Sequence, residues 1–301
     1  MDNKNFDVII IGGSYAGLSA GMALGRSLRN TLIIDDGKPC NIQTPQSHNF
    51  LTHDGTTPAE ISSIAKEQVL KYDTVQFYDG LVTGIIKNAG RFEVETKHGE
   101  NFSARKVILA TGIKDIKPDI PGFEECWGIS VLHCPYCHGY EVRDEVTGVL
   151  ATGEVAYEFT KMIHHWTKKL TLFTNGPSEM TAEQQQKFRE KNITIVEDRI
   201  KEIHHENGYI QELIFKNGKI VPLKALYAQI NIEQNLDVSG IIACELAEHG
   251  VVRIDSAHKT SVDGIFACGD SVTLMRSVAT AIAHGNMTGA IVNKELIEED
   301  F

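Results

Sequence analysis

The sequence predicts an α/β protein built on two βαβ units. Three observations carry the prediction. A β-branched apolar run at residues 6–11 passes directly into Gly12-Gly13-Ser14-Tyr15-Ala16-Gly17; a second strand over 31–34 ends in Asp35-Asp36; and the same strand, turn, helix, strand order returns from residue 146. At 301 residues the chain has length for two domains, each with a sizeable core.

The run at 6–11 alternates poorly but is rich in Val and Ile, which suits a parallel strand buried on both faces. After the glycine turn a helix is predicted over 18–28 and a strand over 31–34. Glycines let backbone approach a pyrophosphate, the helix N-terminus binds it, and an acid at the next strand end accepts from a ribose hydroxyl. Ser14 stands where the second glycine of G-x-G-x-x-G is usual. Residues 37–55 read as a long loop containing His48-Asn49-Phe50. Thr57-Pro58-Ala59-Glu60 then opens a helix, with a capping Thr, Pro at the first helical position and Glu at the third. Short strands over 75–78, 81–87, 92–96 and 106–109 end in Ala110-Thr111-Gly112, and the linker 116–122, with Pro118 and Pro121-Gly122, marks a boundary.

Beyond the boundary lies Cys134-Pro135-Tyr136-Cys137-His138. Two cysteines two residues apart at a helix start can close a small disulfide ring and reopen it, because terminal N–H groups and the dipole stabilise a thiolate. A redox-active dithiol is the preferred reading over three others. A buried structural pair fits poorly with Gly139, Glu141, Arg143 and Asp144, which suggest an accessible turn. C-x-x-C-H also attaches c-type haem, but that needs export, and no signal peptide is read. Half a zinc site would need a second ligand pair, and neither C-x-x-C nor H-x(3-5)-H recurs, so no metal is expected.

The second βαβ copy has its strand at 146–150, turn at 151–156, helix at 157–166 and next strand at 170–173. Ala151 replaces its first glycine, and Thr174-Asn175-Gly176 offers neither an acid for a ribose nor an arginine for a 2′-phosphate. Thr181 and Gln184 can cap a helix, Asn207-Gly208 and Asn217-Gly218 mark a meander, and the chain leaves this region around 230–236. Near the C-terminus a buried strand runs into Gly269-Asp270, and Met275-Arg276-Ser277 opens a helix over 278–296.

A net charge of −11, from 29 basic and 40 acidic residues, argues against a nucleic-acid groove and against an anionic membrane surface. The run at 8–11 is too short and wrongly flanked for a signal sequence, so a cytoplasmic protein is expected. Six cysteines are too sparse for a disulfide scaffold, and Cys40, Cys126, Cys244 and Cys268 read as free thiols. His164-His165 and His204-His205 read as surface or packing pairs, because adjacent side chains point apart.

Together these pieces resemble the low-molecular-weight thioredoxin reductase family of FAD-dependent disulfide oxidoreductases. The likeness spans nearly the whole chain. It rests on the 12–17 turn, Ala110-Thr111-Gly112, Cys134 to Cys137, the 264–270 motif and Arg276-Ser277-Val278-Ala279-Thr280-Ala281. The resemblance implies an α/β fold of two three-layer, Rossmann-like dinucleotide-binding domains, the second inserted into the first. Residues 1–117 and 236–301 would form the FAD-binding domain, and 118–235 a nicotinamide-type domain carrying the C-x-x-C. It implies that Gly12, Gly13, Ser14, Tyr15, Ala16 and Gly17 face the FAD pyrophosphate, with Asp35 or Asp36 at the adenosine ribose. Asp270, after Gly269, would meet the ribityl chain and Arg276-Ser277 the isoalloxazine edge, while Asn49, Thr111 and Gly112 complete the cofactor set. Cys137 would be the flavin-proximal sulfur, Cys134 the sulfur that forms the mixed disulfide, and His138 the acid/base, with an ordinary pKa near ~6.5.

His138 stands where the family usually has Asp. The string Cys137-His138-Gly139-Tyr140-Glu141 and the tail from Met275 look more like two offshoots, the gliotoxin- and holomycin-type dithiol oxidases and the reductases that do not use pyridine nucleotides. With Ala151 and no arginines after Phe173, this puts NAD(P)H as electron donor in question. The expected function is FAD-dependent thiol–disulfide exchange through Cys134 and Cys137, on a thioredoxin-like protein or a small dithiol. The alternatives are an oxygen-dependent dithiol oxidase and a ferredoxin-fed thioredoxin reductase. A homodimer is implied by the family alone.

Overall fold

The computed structural model describes residues 4–301. In chain order the first elements are β1 (Asn5–Ile11), α1 (Tyr15–Arg26), β2 (Thr31–Asp35), α2 (Pro58–Val69), β3 (Val75–Asp79), β4 (Val82–Asn88), β5 (Arg91–Thr96) and β6 (Asn101–Leu109). Then come β7 (Ile113–Ile116), α3 (Phe123–Cys126), β8 (Val131–Leu132), α4 (Pro135–His138), β9 (Thr147–Leu150), α5 (Gly153–Ile163), β10 (Leu170–Phe173), α6 (Ala182–Glu190) and β11 (Thr194–Val196). The remainder is β12 (Ile200–Glu206), β13 (Tyr209–Phe215), β14 (Ile220–Pro222), β15 (Ala225–Ala228), β16 (Asn231–Gln234), α7 (Val238–Ile242), β17 (Ile265–Ala267) and α8 (Val278–Asp300).

Two compact units form. The first comprises the chain up to Ile42, Phe50–Lys114 and Ile232–Phe301; the second comprises Gln43–Asn49 and Asp115–Asn231. In the first unit the strand order is β3-β2-β1-β6-β5-β4, with β17 also paired to β6. The β3, β2, β1, β6 and β17 pairings are parallel, whereas β4 and β5 join antiparallel. The poor alternation of β1 is explained by burial on both faces: Ile9 and Ile11 enter one apolar core, Val8 and Ile10 the other. β1 pairs in register with β2 on one side and β6 on the other, so the C-terminal ends of these strands lie level.

α1 begins at Tyr15, three residues before its predicted start, because Ser14 already takes the extended N-cap conformation. Its end is set at Leu28, whose φ of +61° leaves the helical region. α8 crosses α1 at small residues: a Cβ on Gly285 would meet the Ala16 carbonyl at 2.0 Å, and one on Gly289 the Ala20 carbonyl at 2.7 Å. Buried Lys106 anchors the far end of α8 through Glu295, at 2.5 Å, and Glu299.

The second unit repeats the plan on a smaller scale. Its parallel sheet has the order β11-β10-β9-β15-β8, and β12, β13 and β14 form the antiparallel meander. α5 starts at Gly153, inside the stretch read as a turn. α6 carries a capping box between Thr181 and Gln184. No helix among the described residues is long and apolar enough to cross a membrane.

Candidate functional site

In the first unit the residues singled out from sequence collect where the parallel strands end, apart from Asn49. Gly12 leaves β1 at φ +103°, and a Cβ there would lie 2.2 Å from the Ala110 carbonyl. A Cβ on Gly17 would lie 1.8 Å from the Gly12 carbonyl, so the first turn of α1 sits hard against the loop. Ser14, Tyr15 and Ala16 form the start of the helix; Ser14 makes no side-chain cap, and no acid occupies the first turn. The first turn of this 12-residue helix thus carries no acid of its own, and its terminal N–H groups and positive dipole end can receive an anion, the Asp35 carboxylate binding the Gly13 N–H just ahead of them. Tyr15 is held at its hydroxyl, which donates to the Pro58 carbonyl at 3.3 Å and accepts from Asn41 Nδ2 at 3.3 Å.

The two acids ending β2 play different parts. Asp35 Oδ1 accepts from the Gly13 N–H at 2.8 Å and Oδ2 from Gly37 N–H at 3.3 Å, so Asp35 locks the glycine turn. Asp36 is exposed, with Lys38 at 3.7 Å. On the neighbouring strands, Ser271 ties the ends of β6 and β17 together. Its Oγ accepts from Gly112 N–H at 2.9 Å and lies 3.3 Å from Thr111 Oγ1. Gly269 has φ +73° and abuts Ala16. Asp270 Oδ2 receives Arg276 Nε at 3.4 Å and Cys40 Sγ at 3.8 Å, and Ser277 caps α8 by accepting from Thr280 N–H at 3.1 Å. Ser271 was not read from the sequence and Cys40 was read only as a free thiol; Cys40 reaches Asp270 because the loop after β2 folds back, and no local pattern signals that.

The second unit holds Cys134, Cys137 and His138 on α4, and Asn49, with φ +58°, belongs to this unit's 43–49 segment. Cys134 and Cys137 are disulfide-bonded, with Cα atoms 5.3 Å apart. Cys134 is the N-cap residue, Pro135 occupies the first turn, and the Cys137 N–H donates to Cys134 Sγ at 3.1 Å. That bond would stabilise a thiolate on Cys134 once the disulfide opens. Trp166 fixes the helix: a Cβ on Gly139 would lie 2.7 Å from Trp166 Nε1, and the Tyr136 ring meets the Trp166 ring edge-on at 5.5 Å.

His138 differs from its expected behaviour. Burial, with the charge of His48 second, pushes its pKa down to about 4, so it is neutral near pH 7. His48 comes from the 43–49 segment and lies 3.6 Å from Glu141. Neither residue was assigned a role from sequence, since their meeting depends on chain distant by about ninety residues, beyond the reach of local pattern.

The second βαβ turn carries the opposite charge to the first. Glu154 stands in the first turn of α5, its Oε2 accepting from Gln184 Nε2 at 2.8 Å. Glu179 Oε2 lies 3.3 Å from where a Cβ on Gly153 would be. At the end of β10, Asn175 Oδ1 accepts from Ile200 N–H at 2.7 Å. There Gly176 faces Arg199, whose Cζ would be 3.1 Å from a Cβ. The sequence offers no arginine directly after Phe173; the fold brings one from the turn before β12.

A glycine-turn cradle in one parallel α/β unit and a disulfide on a short helix of another define a disulfide oxidoreductase. Comparison with known proteins makes the class specific. The family described as pyridine nucleotide-disulphide oxidoreductase matches residues 6–285. Thioredoxin reductase tcpT of Claviceps purpurea is 31% identical over 97% of this chain and 95% of its own length. The crystal structure of a putative thioredoxin reductase TrxB from Bacillus anthracis superposes with a TM-score of 0.94 at 30% identity, covering 98% of this chain and 100% of that one. An oxidoreductase from Agrobacterium tumefaciens gives 0.91 at 37% identity, covering 98% and 99%. The chain belongs to the pyridine nucleotide-disulphide oxidoreductase family, as a thioredoxin reductase-like enzyme with two Rossmann-like dinucleotide-binding domains.

The family implies FAD. The first unit fits it: the glycine cradle leaves no room for a Cβ, the first turn of α1 holds no acid, and Asp36 is exposed directly after β2.

Proposed function

We propose that this enzyme exchanges electrons between FAD held by the first unit and a substrate disulfide or dithiol, through Cys134 and Cys137. The observation that carries the reading is the Cys134–Cys137 disulfide on a helix start, with the Cys137 N–H aimed at Cys134 Sγ. When bound, FAD supplies a two-electron store at its ring system. The cofactor contacts are assigned to Gly12, Gly13, Ser14, Tyr15, Ala16 and Gly17 at the pyrophosphate and to Asp36 at the ribose, Asp35 serving to hold the turn. Thr111, Gly112, Gly269, Asp270, Arg276 and Ser277 line the remaining strand ends and the start of α8.

In the exchange, Cys134 forms the mixed disulfide and Cys137 leaves as a thiolate, while His138 accepts the proton of the incoming thiol. The substrate is a thioredoxin-like protein or a small dithiol, handled by a cytoplasmic homodimer.

A second reading, favoured by Glu154 and Glu179, concerns the electron donor or acceptor. Two carboxylates at the α5 turn repel a pyrophosphate, so the residues of that turn do not fit NAD(P)H. Oxygen, as acceptor in a dithiol oxidase, or ferredoxin, as donor in a reductase, then completes the cycle. The test is a trap. A Cys137→Ser variant incubated with the disulfide form of a thioredoxin-like protein, or with an oxidised small dithiol, should hold it as a mixed disulfide on Cys134 by mass spectrometry. No adduct with either class would refute the assignment.

A further inference from the structure

In the first unit, a tight loop over 255–259 touches two elements that border the glycine cradle. Asp255 holds the loop together, its Oδ1 accepting from Ala257 N–H at 2.8 Å and from Lys259 N–H at 3.0 Å. Between them His258 sits at φ +56°, a left-handed conformation that disfavours residues other than glycine. The His258 carbonyl accepts from Ala267 N–H at 3.1 Å, at the end of β17. Its ring reaches α8, where Nδ1 lies 2.7 Å from Thr288 Oγ1. The Thr288 hydroxyl donates its one proton to the His284 carbonyl at 2.8 Å, so the proton shared with His258 belongs to Nδ1. One residue thereby joins β17 to α8. Thr288 lies on α8 between Gly285 and Gly289, the positions that rest on the Ala16 and Ala20 carbonyls of α1, and β17 runs through Cys268 into Gly269, which abuts Ala16.

The junction is built for a neutral ring. His258 is 6% exposed, and Thr288 and Cys268 are fully buried. His284 on α8 meets the His258 ring edge-on at 5.3 Å, and its own Nδ1 is buried without a hydrogen-bond partner. Cys268, after β17, is a neutral thiol, since burial pushes its pKa up to about 12. Asp255, the one acid of the loop, is engaged by the loop's own N–H groups, and Lys259 turns to Glu295. Burial, and after it His284, lowers the His258 pKa, against opposing effects of Asp255 and of the backbone at Ala267.

We propose that His258 is an acid-sensitive latch: its neutral ring ties α8 to the end of β17 and holds the α1–α8 crossing in the form that binds FAD, and a proton on the ring opens the loop and loosens FAD. His258 is thus a positioning residue for the cofactor, acting through Thr288. The proposal rests on the first unit being the FAD site. In the open loop the ring is hydrated and takes a proton at its ordinary value near ~6.5, whereas in the closed loop it resists protonation to lower pH. The latch is therefore closed above that value and is lost progressively as pH falls below it. Opening also frees the backbone at His258 from its left-handed conformation.

The experiment is release of FAD from the loaded protein, read as recovered flavin fluorescence, from about pH 7.5 to about pH 5. The wild type should bind FAD about tenfold more weakly at the acid end. His258→Gln, which has no ring to protonate, should bind equally at both ends. Thr288→Val removes the hydroxyl that receives the ring and should bind weakly with no pH step, whereas Thr288→Ser should restore both the affinity and the step. A parallel measurement needs no cofactor. Amide hydrogen exchange over 284–292 in the FAD-free protein, corrected for the intrinsic effect of pH, should quicken toward acid in the wild type and in Thr288→Ser but not in His258→Gln. Wild-type binding without a pH step overturns the proposal, as does a step that His258→Gln or Thr288→Val retains in full, or an acid response of α8 that is the same in every variant. A protein that binds no FAD at any pH refutes the functional reading, and exchange in α8 then judges the latch alone.

Discussion

At the scale of single residues, environment decides chemistry more than residue type does. The sequence places His138 beside Cys137 and suggests an imidazole poised near neutrality; burial and His48 instead hold it down at about 4. This has a consequence for stability. The unfolded chain binds the His138 proton near ~6.5, whereas the folded chain resists it to about 4, so stability falls as pH drops through that window and is unaffected above it. A His138→Gln variant should lose this contribution to the slope, worth on the order of 3 kcal/mol at its acid limit. Urea unfolding across pH 4 to 7, roughly the window between those two values, measures it. The two acids after β2 teach a related point. Asp35 and Asp36 stand out in the sequence as acids at the second strand's end, but which one is committed to the Gly13 N–H follows from the turn's conformation, not from its letters.

At the scale of elements, the glycine turn, the strand ends and the C-x-x-C were legible because each obeys a short-range rule: glycine where backbone closes on backbone, β-branched runs where both sheet faces are buried, Pro135 in the first turn of α4. Helix starts were less so. α1 begins three residues early and α5 four, since Ser14 and Thr152 serve as extended N-caps without side-chain bonds to reveal them. The two βαβ turns also look alike as patterns yet differ in field. α1 has no acid in its first turn, whereas α5 has Glu154, with Glu179 reaching Gly153 from the loop before α6. The Glu179 contact is tertiary and leaves no local signature. Neutralising both acids, as Glu154→Gln with Glu179→Gln, should strengthen NADPH binding at least tenfold through removal of two repulsions of about 1 kcal/mol each. Isothermal titration against wild type reads it.

At the scale of the molecule, the chain divides its work between two units, and the division is itself interrupted by residues 43–49, which belong to the second unit although they lie within the first unit's loop. Sequence reasoning reads that loop as mere length between β2 and α2; its seven residues carry no period and no turn signal strong enough to announce a destination. What the whole protein must do is pass electron pairs between cofactor and dithiol. The most direct measurement is anaerobic flavin absorbance of the FAD-loaded protein on adding a reduced dithiol, in wild type and in Cys134→Ser. The wild type should bleach and Cys134→Ser should not, although it still holds its FAD. Equal bleaching of the two proteins, or none in either, would contradict the role given to Cys134 and Cys137.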